Sequence, residues 1–371
     1  MKVKQKKSEM EKKACSVRIR RFAGLLKKNG IDAAIIRSAV NLFYFTGMQT
    51  SNGLLMVYAE GFSVFLTDFR YYEAAERGLP EKTELELLKT GAEKSKQLAK
   101  LFAGLGFIGC EDNLALNQFE QLNEAVGQGV DWTPVSDLIS GLRAVKSRDE
   151  LKMVRQAAQM NDAVFLDVLN AGLHGRRESE IQRMIKIKMI AEGGEEAFDA
   201  IVAAGANASQ CHHIAADDVC GQKGTSLLID MGVKFGQYCS DMTRCISFGK
   251  PSAAYRRVYD LVLKANESAI DQIAPGRTCA EIDEVARKII STSGYGKNFG
   301  HSLGHAVGLE IHESPAFRAG DVTVLQPGMI LTVEPGVYLP GRFGIRIEDL
   351  VLVTRTGCEV LTQTPKELLI V

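Results

Sequence analysis

Two rhythms of apolar and polar positions organise the chain. In residues 18–29 apolar side chains recur at helical spacing and stop at Gly30, which predicts an amphipathic helix. Residues 33–36 are a short unbroken apolar run and predict a strand. Runs at 54–58 and 64–66, with Glu60-Gly61 between them, predict a hairpin. Helical spacing returns at 92–102 and 118–125, around a short strand at 107–109. Helices interleaved with strands predict an α/β domain here.

A different order follows. Ser147 and Glu150 have the spacing of a capping box, in which each side chain bonds the other's backbone N–H. The helix it starts is predicted to reach Asn170 and stop near Gly172, and a second, over 179–191, to end at Gly193-Gly194. Strands are predicted at 200–204, 227–230 and 238–248. Then the order recurs. A helix over 253–273 stops at Pro275-Gly276, and Thr278 with Glu281 opens another that ends near Gly294. Strands follow at 329–334 and 345–353. Two helices and then strands, twice over, predict a duplicated half-domain.

Length and charge narrow the function. The 371 residues suit two domains, at roughly 150 residues each. The expected division is a basic, frayed leader over 1–14, a first domain over 15–142 and a second over 143–371. Lys and Arg balance Asp and Glu at 45 each, which argues against nucleic-acid binding. No apolar run approaches the ~18 residues of a membrane span. No apolar stretch follows the lysines of the leader, so no secretory signal is read and a cytoplasmic location is expected. The eight cysteines form no CxxC pair and are read as free thiols. Of six histidines, five fall between His212 and His312, the kind of gathering that serves a metal or proton transfer.

The acids show the same gathering. Asp230 ends an apolar strand, and a turn centred between Phe235 and Gly236 would set it opposite Asp241. Two facing carboxylates repel unless a cation lies between them. Arg346 and Glu348 stand two apart on one predicted strand and therefore on one face. Glu334 closes another apolar strand, where a buried charge needs a partner. Gly300 to Gly304 spells G-x-S-x-G, but no histidine follows His312 and no strand precedes it, so a hydrolase triad is excluded. Four carboxylates with an imidazole suit Mn²⁺, Co²⁺, Fe²⁺ or Zn²⁺, and their charge suffices for two divalent ions.

These residues and their surroundings resemble the pita-bread metallopeptidases of the Xaa-Pro dipeptidase (prolidase) and Xaa-Pro aminopeptidase type. The carriers are G-H-x-x-G-H-x-x-G-L-x-x-H-E from Gly300, E-P-G-x-Y from Glu334 and R-I-E-D from Arg346. The stretches NLFYFTG from Asn41 and TDFRY from Thr67 resemble a creatinase-like N-terminal domain. The resemblance implies an α/β (α+β) chain: a creatinase-like domain, then a pita-bread fold with a pseudo-twofold duplicated half. It implies five metal ligands, Asp230, Asp241, His305, Glu334 and Glu348, holding two divalent ions per chain, with Mn²⁺ the first choice. It implies hydrolysis of the bond preceding proline in Xaa-Pro dipeptides or N-terminal Xaa-Pro peptides, with Glu334 taking a proton and His212 and His312 stabilising the oxyanion. His301 would contact the proline side of the peptide substrate. Arg346, counted with His301 among the substrate-binding residues, would stand beside the site and orient Asp241, with Thr243 also behind Asp241. A homodimer is expected. Counting forward from Gly205 selects His212, whereas counting back from Asp230 selects His213; His212 is preferred. The same metals acting on another small amide, and a non-catalytic binding module, remain the alternatives.

Overall fold

The computed structural model describes residues 2–127 and 129–371, with the side chains of residues 2–8 outside that description. The chain divides after Leu142 into two compact units.

The first unit holds α1 (Lys2–Lys28), β1 (Ala33–Ile36), α2 (Ala39–Thr46), β2 (Gly53–Tyr58), β3 (Ser63–Thr67), α3 (Phe69–Gly78), β4 (Thr83–Leu87), α4 (Gly91–Phe102), β5 (Phe107–Cys110), α5 (Leu116–Val126) and β6 (Asp131–Pro134). The six strands make one mixed sheet in the order β4-β3-β2-β1-β5-β6. Strands β1, β2 and β3 are buried along their whole length, as apolar runs covered on both faces must be. Ser38 and Asp68 cap the N-termini of α2 and α3; of the stretches singled out in the sequence, the one from Asn41 forms the body and C-terminal cap of α2 and the one from Thr67 starts α3. The leader differs from expectation, because α1 is helical from Lys2. Cys15, Ile19, Phe22, Ala23 and Leu26 bury one face of it, and a packed end lets a helix propagate into the polar segment before it.

Helix α6 (Ser136–Ala144) runs across the division. The second unit continues with α7 (Arg148–Asn170) and α8 (Glu178–Ala191), then β7 (Glu195–Glu196), β8 (Ile201–Ala204), β9 (Ser226–Met231), β10 (Val233–Phe235), β11 (Tyr238–Cys239) and β12 (Met242–Ser247). The order then repeats with α9 (Ala253–Ile270) and α10 (Cys279–Thr292), followed by β13 (Gly304–Ala306), β14 (Glu313–Phe317), β15 (Ile330–Val333), β16 (Gly336–Leu339), β17 (Phe343–Arg346), β18 (Asp349–Val353), β19 (Cys358–Val360) and β20 (Leu369–Ile370). One sheet runs β20-β12-β9-β8 and another β14-β13-β15-β18-β19. Both expected capping boxes form, at Ser147/Glu150 and Thr278/Glu281.

The duplication is visible bond by bond. Gly175 N–H donates to Cys220 O and Cys220 N–H to Arg176 O; Gly276 and Leu325 repeat this with Arg277. Ser179 N–H donates to Ala216 O, and Ala280 N–H repeats it to Asp321 O. The same lead-in therefore starts the second helix of each half.

Candidate metal centre

Strands β9 and β12 bring the first two acids together, in a register that differs from expectation. Asp230 lies opposite Thr243, and Met231 opposite Met242. The turn is the pair Gly236-Gln237, both with positive φ (56° and 73°), between Phe235 and its partner Tyr238. That is the geometry of a type I′ hairpin, whose twist matches that of the strands. The ladder is thus shifted by one pair from the expected one. A shift by one pair keeps every side chain on its face, so Asp230 and Asp241 become diagonal neighbours on one face instead of opposite ones.

The second half supplies the rest. His305 sits in β13, where Gly304 runs so close to β15 that a Cβ would lie 2.0 Å from Thr332 O. Glu334 follows β15, and its backbone N–H bonds Leu303 O at 2.7 Å. The predicted strand over 345–353 is broken: β17 ends at Arg346 and β18 starts at Asp349. Glu348 falls in the gap, with its N–H donating to Thr243 O at 3.2 Å. Donor atoms of Asp241, His305 and Glu348 lie within 4.8 Å of one another. His305 Nε2 stands 3.4 Å from Glu334 Oε1 and 3.6 Å from Asp241 Oδ2. Its Nδ1 faces the Ala306 carbonyl, which only accepts, so Nε2 of the neutral ring is left with its lone pair toward the acids.

The charge balance of this cluster is unfavourable without a cation. Burial first, then Glu348, Asp230 and Glu334, push the Asp241 carboxyl well above its usual range. Burial, Glu334 and Asp230 raise Glu348 likewise, and burial brings Glu334 to about 8 although Arg346 opposes it. Among the described residues, the buried Oδ1 atoms of Asp230 and Asp241 have no hydrogen-bond partner. Buried acceptors normally have one. Unpartnered carboxylate oxygens and one imidazole lone pair are the donor set that fits a hard or borderline divalent ion.

Arg346 is not where the sequence reading puts it. Its Nη2 pairs with Asp230 Oδ2 at 2.5 Å, not with Asp241, and its Nε bonds Thr243 Oγ1 at 3.0 Å. Nη1 bonds Tyr338 OH at 2.8 Å and the Cys211 carbonyl at 3.3 Å. With these donors engaged and its side chain 4% exposed, Arg346 braces Asp230 at the wall of the cavity. Thr243 also differs: its hydroxyl donates to Glu348 Oε2 at 2.6 Å, not to Asp241.

The histidines divide by what holds them. His213 Nε2 bonds the buried Glu178 at 2.7 Å, which commits its ring to the protein. His212 has no such bond among the described residues; it lines a cavity of about 730 Å³ together with His213, His301, His305, His312 and the acids. His301 uses both ring nitrogens, Nδ1 with Ser302 O at 2.7 Å and Nε2 with Tyr338 OH at 3.0 Å. Burial, then Arg346, Arg287 and His212, lower it to about 4, so it is neutral at pH 7. His312 packs edge-on against His305, ring centroids 4.4 Å apart.

Residues 152–355 match the model of metallopeptidase family M24, and residues 18–145 that of the creatinase/prolidase N-terminal domain. The chain belongs to metallopeptidase family M24. It is 33% identical over 354 residues to the Xaa-Pro dipeptidase of Pyrococcus horikoshii, covering 95% of this chain and 98% of that one. Among solved structures, the Xaa-Pro dipeptidase from Bacillus anthracis superposes with a TM-score of 0.91 at 35% identity, covering 96% of this chain and all of that one. The X-Pro aminopeptidase from Thermotoga maritima gives 0.84 at 34%, covering 92% and 98%. The M24 chain is therefore an enzyme, a metallopeptidase whose pita-bread domain follows a creatinase-type domain in sequence. Among the described residues no helix is long and apolar enough to cross a membrane.

Sequence reasoning assigned Tyr338, Glu178 and the pair Asp283–Arg287 no part in the site. Arg287 bonds Asp283 and also donates to the His301 carbonyl at 2.9 Å, fixing the loop in front of β13. Tyr338 lies inside E-P-G-x-Y, so its position was marked although its partners were not.

Proposed function

We propose that this M24 enzyme hydrolyses the peptide bond preceding proline, in Xaa-Pro dipeptides or at the start of Xaa-Pro peptides, using two divalent ions. The observation that carries the reading is the convergence of Asp230, Asp241, His305, Glu334 and Glu348 on one buried spot, with two carboxylate oxygens unpartnered. Asp241 and Glu348 would share both ions, Asp230 would complete one, and His305 with Glu334 the other. When bound, the ions supply Lewis acidity, which makes a water nucleophilic near neutral pH and polarises the substrate carbonyl.

The rest falls to the chain. Glu334, whose carboxylate lines the cavity beside His305, accepts the proton of the attacking water. His312 and His212 donate to the oxyanion that forms at the scissile carbonyl. His301, neutral and with both nitrogens engaged, offers an apolar ring edge to the pyrrolidine ring of proline. A bond to proline lacks the N–H that most peptidases hold, so recognition has to come from such packing. Relatives named Xaa-Pro dipeptidase and X-Pro aminopeptidase support the substrate class without choosing between the two.

Hydrolysis of Xaa-Pro, Xaa-Pro-Yaa and Xaa-Ala with added Mn²⁺ tests the reading. Cleavage of the proline substrates alone is expected. Equal rates on Xaa-Ala would transfer the same metal chemistry to a broader amide class, and no cleavage with metal bound would leave a binding module. The resemblance also carries a cytoplasmic homodimer, which sedimentation would check for oligomeric state.

A further inference from the structure

The loop that delivers His312 to the cavity is wrapped around a single buried anion. Glu313, the next residue, has a side chain 5% exposed. Its Oε1 accepts from Arg143 Nη2 at 2.5 Å and from the backbone N–H groups of Leu309 at 2.9 Å and Glu310 at 3.3 Å. Its Oε2 accepts from Lys146 Nζ at 3.1 Å, and the Lys146 side chain is 1% exposed. Arg143 also pairs with Glu310 at 2.8 Å. Gly308 leaves the carboxylate its space, since a Cβ there would lie 2.5 Å from Glu313 Oε2. Burial disfavours charge on Glu313, but Lys146 and Arg143 outweigh it and hold its carboxyl below the usual range.

The two cations are themselves fastened. Lys146 N–H donates to Gly328 O at 2.9 Å, and Val145 forms an antiparallel bridge with Met329, just ahead of β15. The strand that ends in Glu334 and the loop that carries His312 are therefore tied to the same short segment, residues 143–146.

We propose that Arg143 and Lys146, acting through the Glu313 carboxylate, are positioning residues that set the His312 ring against the scissile carbonyl. This rests on the role proposed for His312. Charge-assisted bonds from two directions fix the carboxylate, the carboxylate fixes the backbone N–H groups of Leu309 and Glu310, and the loop geometry fixes the adjacent imidazole. A donor misplaced by about 1 Å can cost about 10²-fold in rate.

The test uses the full chain loaded with Mn²⁺ and measures kcat and KM for an Xaa-Pro dipeptide, metal content and Tm. Glu313→Gln, Arg143→Met and Arg143→Lys are made alone, and the first two also in a His312→Ala background. Glu313→Gln and Arg143→Met should each lower kcat about 10²-fold with KM and metal content little changed, and Arg143→Lys should recover most of it. In the His312→Ala background the same changes should cost no more than about twofold, because the group they position is gone. The same large loss in that background, or a loss that follows metal content or unfolding instead of kcat, overturns the proposal. Arg143→Met leaves Lys146 on Glu313, so it reports even if Glu313→Gln does not fold. Full activity in His312→Ala would instead remove the role of His312 itself, an outcome separate from a silent Glu313→Gln beside an inactive His312→Ala.

Discussion

Two adjacent histidines that line one cavity are held differently. His213 is bonded to Glu178, which also accepts from Ala204 N–H, Asn207 and Ala216 N–H, whereas His212 has no such bond among the described residues. Steady-state kinetics on His212→Ala should therefore show a kcat loss of about 10² to 10³, the usual cost of an oxyanion donor. His213→Ala should leave kcat closer to wild type and lower stability by about 1 to 3 kcal/mol, since it strips a partner from a buried carboxylate. The reverse ranking would mean the wrong histidine is aimed at the substrate. Arg346 gives a second contrast. Arg346→Lys keeps one charge but cannot span Asp230, Tyr338 and Thr243 at once, so activity should fall about 10²-fold with metal stoichiometry maintained. Glu348→Gln should lose metal as well as activity, and equal metal contents in the two variants would refute the distinction. The acids were legible because Asp230 and Glu334 end apolar runs where a lone charge has no place. The partners of Arg346 were not, since they depend on where β17 stops and on a tyrosine eight positions away.

At the scale of the element, turn chemistry decides what pattern alone does not. The two strands of the β9–β12 hairpin follow from their apolar runs. Its turn does not, because Gln237 adopts a positive φ that its side chain does not announce. Gly236 therefore read as the third residue of a turn in which it is second, and the predicted ladder slipped by one pair. Gln237→Gly relieves that left-handed conformation, offset in part by glycine's greater freedom when unfolded. A gain of about 0.5 to 1 kcal/mol is expected in urea unfolding; a loss would show that the glutamine side chain holds the turn. The segment 345–353 misled in another way: alternation runs on through it, but Arg346 is in β17 and Asp349 in β18, and the break puts Glu348 on the Thr243 carbonyl. Strand β13 left almost no trace, since Gly and His carry little strand preference and the close pass of Gly304 by Thr332 is a tertiary fact.

For the molecule as a whole, the raised carboxyls make stability depend on metal and pH together. In protein stripped by a chelator, Glu334 takes up its proton near pH 8, against a usual carboxyl range close to 4.5. A folded pKa above the unfolded one means that the folded state binds more protons between these values. The stripped protein should then be most stable below about pH 4.5, as far as this group is concerned, and lose that contribution as pH rises through about 8. Mn²⁺ should restore more Tm at pH 8 than at pH 5.5, because it replaces protons that the acids have released. A Tm gain independent of pH would show that the acids are not what the ion binds. The doubling of the catalytic unit was legible in the repeated order of two helices and then strands. Its bond-by-bond repetition was not, because in the partner segments 216–220 and 321–325 only Val219 and Val324 carry the same residue type.

That doubling has a consequence for the order of events when the chain folds. Asp230 and Asp241 come from the first repeat, and His305, Glu334 and Glu348 from the second. On the proposed ligand set neither repeat supplies all five donors, so the complete site would form only once the two have docked. The ions would then act as a latch between the halves, and their uptake would mark a late step of folding.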